Sequence, residues 1–245
     1  ERPGQGAALC YPRRHYEAEL RVAAALVDLA LGTGDRPRWR SIVMPSDLSP
    51  GQAAAVAAIT DAGLVVLTGG PGTGKSTVTR QIIETALANG SALLLAAPTG
   101  RAAKRLTEAT GQRATTIHRL LEIQGNTGQF TYGADNPLAP GLVVIDEASM
   151  LALPLAEALL SALTPEHRLL LVGDAEQLPS VGPGNVLRDV IAAAERLGSP
   201  IPVVRLTQIF RQAEGSTIVV GAHDILHGRV PQSDRRSDGE FYVVP

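Results

Sequence analysis

Residues 64–77 read LVVLTGGPGTGKST. The run Leu64-Val65-Val66-Leu67 has the length and unbroken apolarity of a strand buried on both faces, and the stretch opening at Lys75-Ser76-Thr77 reads as a helix. Between them, Gly69 to Ser76 fits GxxxxGK[ST]. The strand before and the helix after distinguish a phosphate-binding loop from a glycine-rich surface turn. Gly70, Pro71, Gly72, Thr73 and Gly74 let the backbone curl so that successive N–H groups and the helix N-terminus converge on negative charge. Lys75 is then expected to reach the β- and γ-phosphates, and the Ser76 hydroxyl to hold Mg²⁺, with Thr77 beside it. The chain has two lysines, Lys75 and Lys104, against twenty arginines, so lysine is retained where a compact ammonium is wanted.

Outward from this loop the pattern alternates. Apolar runs at Leu93 to Ala97, Leu142 to Ile145, Leu169 to Val172 and Val203 to Leu206 are separated by helical stretches opening at Gly100, Leu153 and Asn185. Short apolar strands between helices predict an α/β fold: a parallel sheet flanked by helices, with ligands in the crevice at the strand C-terminal ends. Upstream, residues 1–45 hold a helix from Tyr16, with Val22, Leu26 and Leu29 on one face, ending near Gly32, and then a polar connector. Ser49 before Pro50 reads as an N-cap with proline at the first helical position, opening a helix that carries Gln52 and ends near Asp61. Residues 122–140 break the alternation: Glu122 to Tyr132 give two short extended arms around a turn, either a projecting inserted β-hairpin or a plain surface connection.

At 245 residues with 44% hydrophobic content, the chain can form one large or two modest domains. A net charge of −2 excludes a uniformly basic nucleic-acid coat, and 3% aromatic residues supply a base-stacking platform poorly. The single Cys10 offers neither a disulfide framework nor a zinc cluster. No run approaches the roughly 18 apolar residues of a membrane span, and Glu1-Arg2-Pro3-Gly4 lacks a signal-peptide pattern, so no membrane contact and a cytoplasmic location are expected.

Val143-Val144-Ile145-Asp146-Glu147 places two carboxylates at a strand end, a Walker-B signature. Asp146 is expected to hold Mg²⁺ through its water shell and Glu147 to polarise the water that attacks the γ-phosphate. A further strand end, Leu170 to Val181, brings Gln177 near the third phosphate, where an uncharged donor and acceptor can register that phosphate without competing with the metal.

Taken in order, these strings resemble the superfamily-one DNA helicases, most closely the RecD-like branch. The matching blocks are Gln52, Gly69–Thr77, Ala97–Ala103, Thr116–Leu120, Ile145–Met150, Gly173–Pro179 and Leu206–Gln212, over about residues 46–230. The resemblance implies a RecA-like fold and an ATP-driven translocase on single-stranded DNA that moves 5′ to 3′ and separates duplex at junctions. It also implies that Gln52 contacts adenine, Arg211 contacts the γ-phosphate, and Gln177 couples loss of that phosphate to DNA movement. Pro98, Thr99, His118, Ser180 and Val181 would line the DNA path, with the hairpin as the pin that splits the duplex. The chemistry agrees, since hydroxyls and N–H groups at Thr99, Gly100 and Thr116 can grip phosphates without reading sequence. Arg101, Lys104 and Arg105 share one helix side, as a basic strip or as a solvated face.

The strings of a second RecA-like lobe, including its arginine opposite the triphosphate, are absent. Residues 46–245 therefore read as the first lobe of a longer motor, whose partners are its second lobe and recombination or single-strand-binding proteins. Alone, it is expected to bind ATP weakly and to hydrolyse it poorly. Two other readings stay open: a RecD-type subunit of a recombination nuclease or the helicase half of a conjugative relaxase, and a non-translocating P-loop switch or scaffold.

Overall fold

The computed structural model describes residues 12–32, 36–125, 127–208, 217–226 and 228–231. Helix α1 (Arg13–Leu31) and α2 (Pro50–Asp61) precede the alternating core. The core runs β1 (Leu64–Gly69), α3 (Lys75–Ala88), β2 (Leu93–Ala97), α4 (Gly100–Thr110), β3 (Ala114–Thr116), α5 (Ile117–Leu120), β4 (Leu142–Ile145), α6 (Leu153–Ser161), β5 (Arg168–Gly173), α7 (Val186–Leu197) and β6 (Val203–Leu206), with α8 (Thr217–Leu226) last. The six strands form one sheet in the order β3-β2-β4-β5-β1-β6, every pair parallel.

Strand alternation explains the three layers. In β1, β4 and β5, Leu64, Val66, Val143, Ile145, Leu169 and Leu171 face a core completed by α1, α6 and α7. Their neighbours Val65, Leu67, Leu142, Val144, Leu170 and Val172 face a second core, completed by α2 and α3. Because both faces are covered, the stretches Leu64–Leu67, Leu142–Ile145 and Leu169–Val172 carry no polar side chain, which is why they read as continuous apolar runs. Helix α1 starts at Arg13, three residues before the expected Tyr16, because its first turn is polar and carries no periodic signal.

Between α1 and α2 the chain runs extended and is held by side chains of α3. Asn89 Oδ1 accepts from the Arg40 and Ser41 N–H groups (2.7 and 3.1 Å), Thr85 Oγ1 accepts from Val43 N–H (3.2 Å), and Gln81 Nε2 donates to Val43 O (2.9 Å). Residues 81, 85 and 89 recur every fourth position on one helix face and so form a ladder for an extended backbone. At the opposite end of the sheet from the phosphate loop, the buried Arg168 donates to Ile59 O (3.1 Å), Thr60 O (3.0 Å) and Pro37 O (2.8 Å), with its guanidinium 4.5 Å from the Trp39 ring centroid. Beside it, Arg36 bonds the carbonyls of Leu29, Pro165 and His167.

Among the described residues, the segment between α5 and β4 contains no regular strand. Ile123 and Phe130 form one isolated antiparallel bridge, and Gly133 and Asn136 another. The Phe130 ring lies 5.8 Å from His118. Among the described residues no helix is long and apolar enough to cross a membrane.

Candidate functional site

Parallel strands bring all their C-terminal ends to one edge, and the sheet order sorts them. The C-terminal ends of β6, β1, β5 and β4 lie side by side, while those of β2 and β3 occupy the far flank.

At the centre, Gly72 and Gly74 adopt φ of 75° and 85°, a left-handed backbone that a side chain would strain, and Gly74 leads directly into α3. Thr73 Oγ1 closes the loop by donating to Gly70 O (2.8 Å). The Lys75 ammonium folds back onto the Gly69 and Gly70 carbonyls, the latter at 3.0 Å. Burial lowers the Lys75 pKa, while Asp174, Glu147 and Asp146, in that order, act to raise it. Three carboxylates thus act on the lysine through space, although none is within ion-pair distance of it among the described residues. Asp146 is pushed above the ordinary carboxylate range by burial, although Glu147 N–H donates to its Oδ1 (2.9 Å). Glu147 itself is left-handed, at φ 52°, and caps a 3-10 turn over Ala148–Met150.

One side of the loop opens on a cavity of about 530 Å³ lined by Asp47, Leu48, Gln52 and residues 70 and 72–77. Gln52 sits at the third position of α2 in a reciprocal capping box: Ser49 Oγ accepts from Gln52 N–H (3.4 Å), and Gln52 Oε1 accepts from Ser49 N–H (2.9 Å). The Ser-Pro-Gly-Gln spacing is the sequence signature of such a box. It fixes the Gln52 amide before any ligand arrives. On the other side a cavity of about 420 Å³ is bordered by Thr68, Asp174, Glu176, Arg205 and Thr207.

Asp174 is the residue the sequence reading passed over. It is 5% exposed, and its Oδ1 accepts from Glu176 N–H (3.0 Å). The signal was available, because an acidic residue directly after an apolar strand falls on the crevice edge. Gln177 follows on the surface, its N–H bonded to Asp174 O (3.2 Å). Arg211 lies outside the described residues.

On the β2–β3 flank, Thr99 and Thr116 are the N-caps of α4 and α5: their hydroxyl oxygens accept from Ala102 N–H (3.2 Å) and Arg119 N–H (3.3 Å). A capping oxygen is used as acceptor only, so each hydroxyl proton stays available for an anion. Pro98 is half-buried, while Gly100, Arg101 and His118 are exposed. Lys104 stands 3.8 Å from Glu108, both largely exposed. Ser180 differs, because its hydroxyl donates to Gly182 O (2.9 Å) and Gly184 O (3.2 Å) within its own loop. Val181 beside it is fully exposed.

The described residues hold no cluster of three or more His, Cys, Asp or Glu side chains able to bind a metal unaided. Mg²⁺ fits all the same, because it binds through one or two protein oxygens plus the phosphates and keeps several waters.

A family model described as an AAA domain matches residues 52–183. The ATP-dependent RecD2 DNA helicase of Deinococcus radiodurans is 44% identical over 184 residues, covering 75% of this chain and 24% of that protein. The RecBCD enzyme subunit RecD of Mycolicibacterium smegmatis is 42% identical over 172 residues, covering 60% of this chain and 30% of that protein. The phage T4 ATP-dependent DNA helicase dda is 36% identical over 126 residues, covering 49% and 29%. The chain therefore spans 24 to 30% of the length of these curated relatives. Among solved structures, the Pif1 helicase of Candida albicans aligns at a TM-score of 0.49 and 22% identity, covering 76% of this chain and 45% of that one.

Proposed function

Because the chain belongs to the AAA domain family, we propose that it is the first ATPase lobe of a RecD-like DNA helicase, fuelled by Mg-ATP and working on single-stranded DNA with 5′ to 3′ polarity. The observation that carries this reading is the sorted edge: Lys75, Asp146, Glu147 and Asp174 together on one part, Thr99 and Thr116 with free hydroxyl protons on the other. Its similarity to a RecD2 helicase and to RecD subunits supports the same reading.

In this reading the loop amides and Lys75 bind the phosphates, and Gln52 holds the adenine. Ser76 and Asp146 hold Mg²⁺, which neutralises charge developing between the phosphates. Glu147 takes the proton of the attacking water, and Gln177 and Arg211 register the γ-phosphate. Thr99, Gly100 and Thr116 grip DNA phosphates, with Pro98, Arg101, His118 and Val181 alongside, and the 122–140 segment meets the duplex at the fork. The Ser180 hydroxyl, spent on its own loop, braces Val181 and leaves its oxygen only as an acceptor. A second lobe supplies the arginine that hydrolysis needs, and the cytoplasm is where such a motor acts. A role within a RecBCD-type complex is the second reading, favoured by the identity to RecD subunits.

The test is ATP consumption by the full-length parent with and without single-stranded DNA, next to Lys75→Ala. The expected result is DNA-stimulated turnover that the substitution abolishes, together with unwinding from a 5′ tail. Turnover indifferent to DNA would favour a switch, and unwinding from a 3′ tail alone would reverse the polarity.

A further inference from the structure

Ser149 lies in the middle of the 3-10 turn that follows Asp146 and Glu147, and it is 6% exposed. Its Oγ is the only fully buried side-chain polar atom among the described residues without a hydrogen-bond partner. A buried hydroxyl left this way is unfavourable, and natural structures keep few of them. Two residues earlier, Glu147 holds a left-handed conformation without being glycine. An orphaned hydroxyl and a strained backbone thus fall within three consecutive residues, next to the carboxylates of the site.

The turn also abuts the strand that leads to Gln177. A Cβ built on Gly173, the last residue of β5, would stand 3.1 Å from Ser149 N, 3.3 Å from Ala148 N and 2.7 Å from Leu187 Cδ2. Glycine at this position lets β5 approach the Walker-B turn closely, and a side chain there would press on the turn backbone and on Leu187. From Gly173 the chain passes through Asp174 to the exposed loop holding Gln177 and the solvent-facing Leu178 and Val181.

We propose that Ser149 is a positioning residue that couples the triphosphate to this loop. Its hydroxyl finds its partner, a backbone group of the Gly173–Asp174 junction, only in the arrangement that a γ-phosphate stabilises. The proposal rests on the ATPase reading above. A ligand shifts such an equilibrium only through a contact that differs between the two states. Ser149 supplies one, which ATP engages and ADP does not.

The experiment compares Ser149→Ala and Ser149→Thr with the wild-type 245-residue chain. Thermal melting is followed without nucleotide, and binding of Mg-ATPγS and of Mg-ADP is measured by calorimetry. Ser149→Ala should melt at or above the wild-type temperature, because it removes a hydroxyl that bonds to nothing. Its affinity for Mg-ATPγS should fall about fivefold, the factor a single net hydrogen bond supplies, with Mg-ADP affinity unchanged. Ser149→Thr, which keeps the hydroxyl, should preserve the wild-type ratio of the two affinities. A Ser149→Ala chain that melts several degrees lower, or that keeps the wild-type ratio, overturns the proposal and leaves the nucleotide site standing. A wild-type chain that binds neither nucleotide overturns both.

Discussion

Replacing Arg168 by alanine should destabilise the fold by about 3 kcal/mol. The guanidinium donates three hydrogen bonds, to Ile59 O, Thr60 O and Pro37 O. Hydrogen bonds from a charged donor contribute about 1.5–3 kcal/mol each, and the Trp39 ring at 4.5 Å adds about 0.5–2 kcal/mol. Against this gross stabilisation stands the desolvation of a cation that is 5% exposed and has no carboxylate within ion-pair distance among the described residues. Desolvation offsets much of this gain, and the net loss of about 3 kcal/mol is what three carbonyl acceptors left unpaired cost at about 1 kcal/mol each. Two of the acceptors, Ile59 and Thr60, lie in the last turn of α2, where carbonyls have no partner within the helix. Truncation therefore strands acceptors as well as removing a donor. For a chain of this size 3 kcal/mol corresponds to a fall of about 6–12 °C in melting temperature, read by circular dichroism on the isolated chain. Arg168→Lys should recover less than half of the loss, since an ammonium has no planar fork to span three carbonyls. A melting temperature within 2 °C of wild type for the alanine variant, on the order of 1 kcal/mol or less, would refute the reasoning and show that water serves those carbonyls as well as arginine does.

Three further outcomes are expected. Lys75→Ala should lower affinity for Mg-ATP at least tenfold in calorimetry while leaving the melting temperature of the free chain within about 2 °C, since two loop carbonyls are its only hydrogen-bond partners among the described residues. Asn89→Ala removes an amide that makes four hydrogen bonds, accepting from Arg40 and Ser41 N–H and donating to Ser41 O and Thr85 O; chemical denaturation should show a loss of about 2 kcal/mol, with faster proteolysis around residues 40–44. His167 is buried between Thr164 N–H at Nδ1 (3.0 Å) and Ala139 O at Nε2 (3.1 Å), and its pKa lies below the ordinary 6.5 because burial favours the neutral ring. The unfolded chain then binds the extra proton first, so this contribution is complete above about pH 6.5 and is lost as pH falls from there through the folded-state value; the difference in melting temperature between wild type and His167→Asn should shrink across that window, and a pH-independent difference would contradict it.

The strands were legible because a doubly covered parallel sheet writes uninterrupted apolar runs, and the phosphate loop because glycine at positive φ has few substitutes. Strand β3 was not, since Ala114-Thr115-Thr116 is short, half-buried and at the sheet edge. Among the described residues, the two arms read at Glu122 to Tyr132 meet at an isolated bridge between Ile123 and Phe130, flanked by hydrogen bonds from Gln124 N–H to Gln129 O and from Thr131 N–H to Glu122 O; extended propensity specified direction but not a regular ladder. Arg168, Arg36, His167 and Trp39 were silent because their partners are mostly backbone carbonyls brought together by folding, which leave no trace in residue spacing. Asp174 and the Ser49–Gln52 box had local signatures and could have been read.

The parallel pairing of β2 with β4 extends past the strand ends, since Asp146 N–H donates to Ala96 O at 3.0 Å. Ala96 stands three residues before Thr99. One interstrand step, about 4.8 Å, thus separates the backbone of Asp146 from the stretch that ends in the α4 cap. A lever this short has little slack: on the proposed reading a tilt of one turn reaches its neighbour directly, so that coupling the nucleotide edge to the DNA flank would need no relay through the protein's interior.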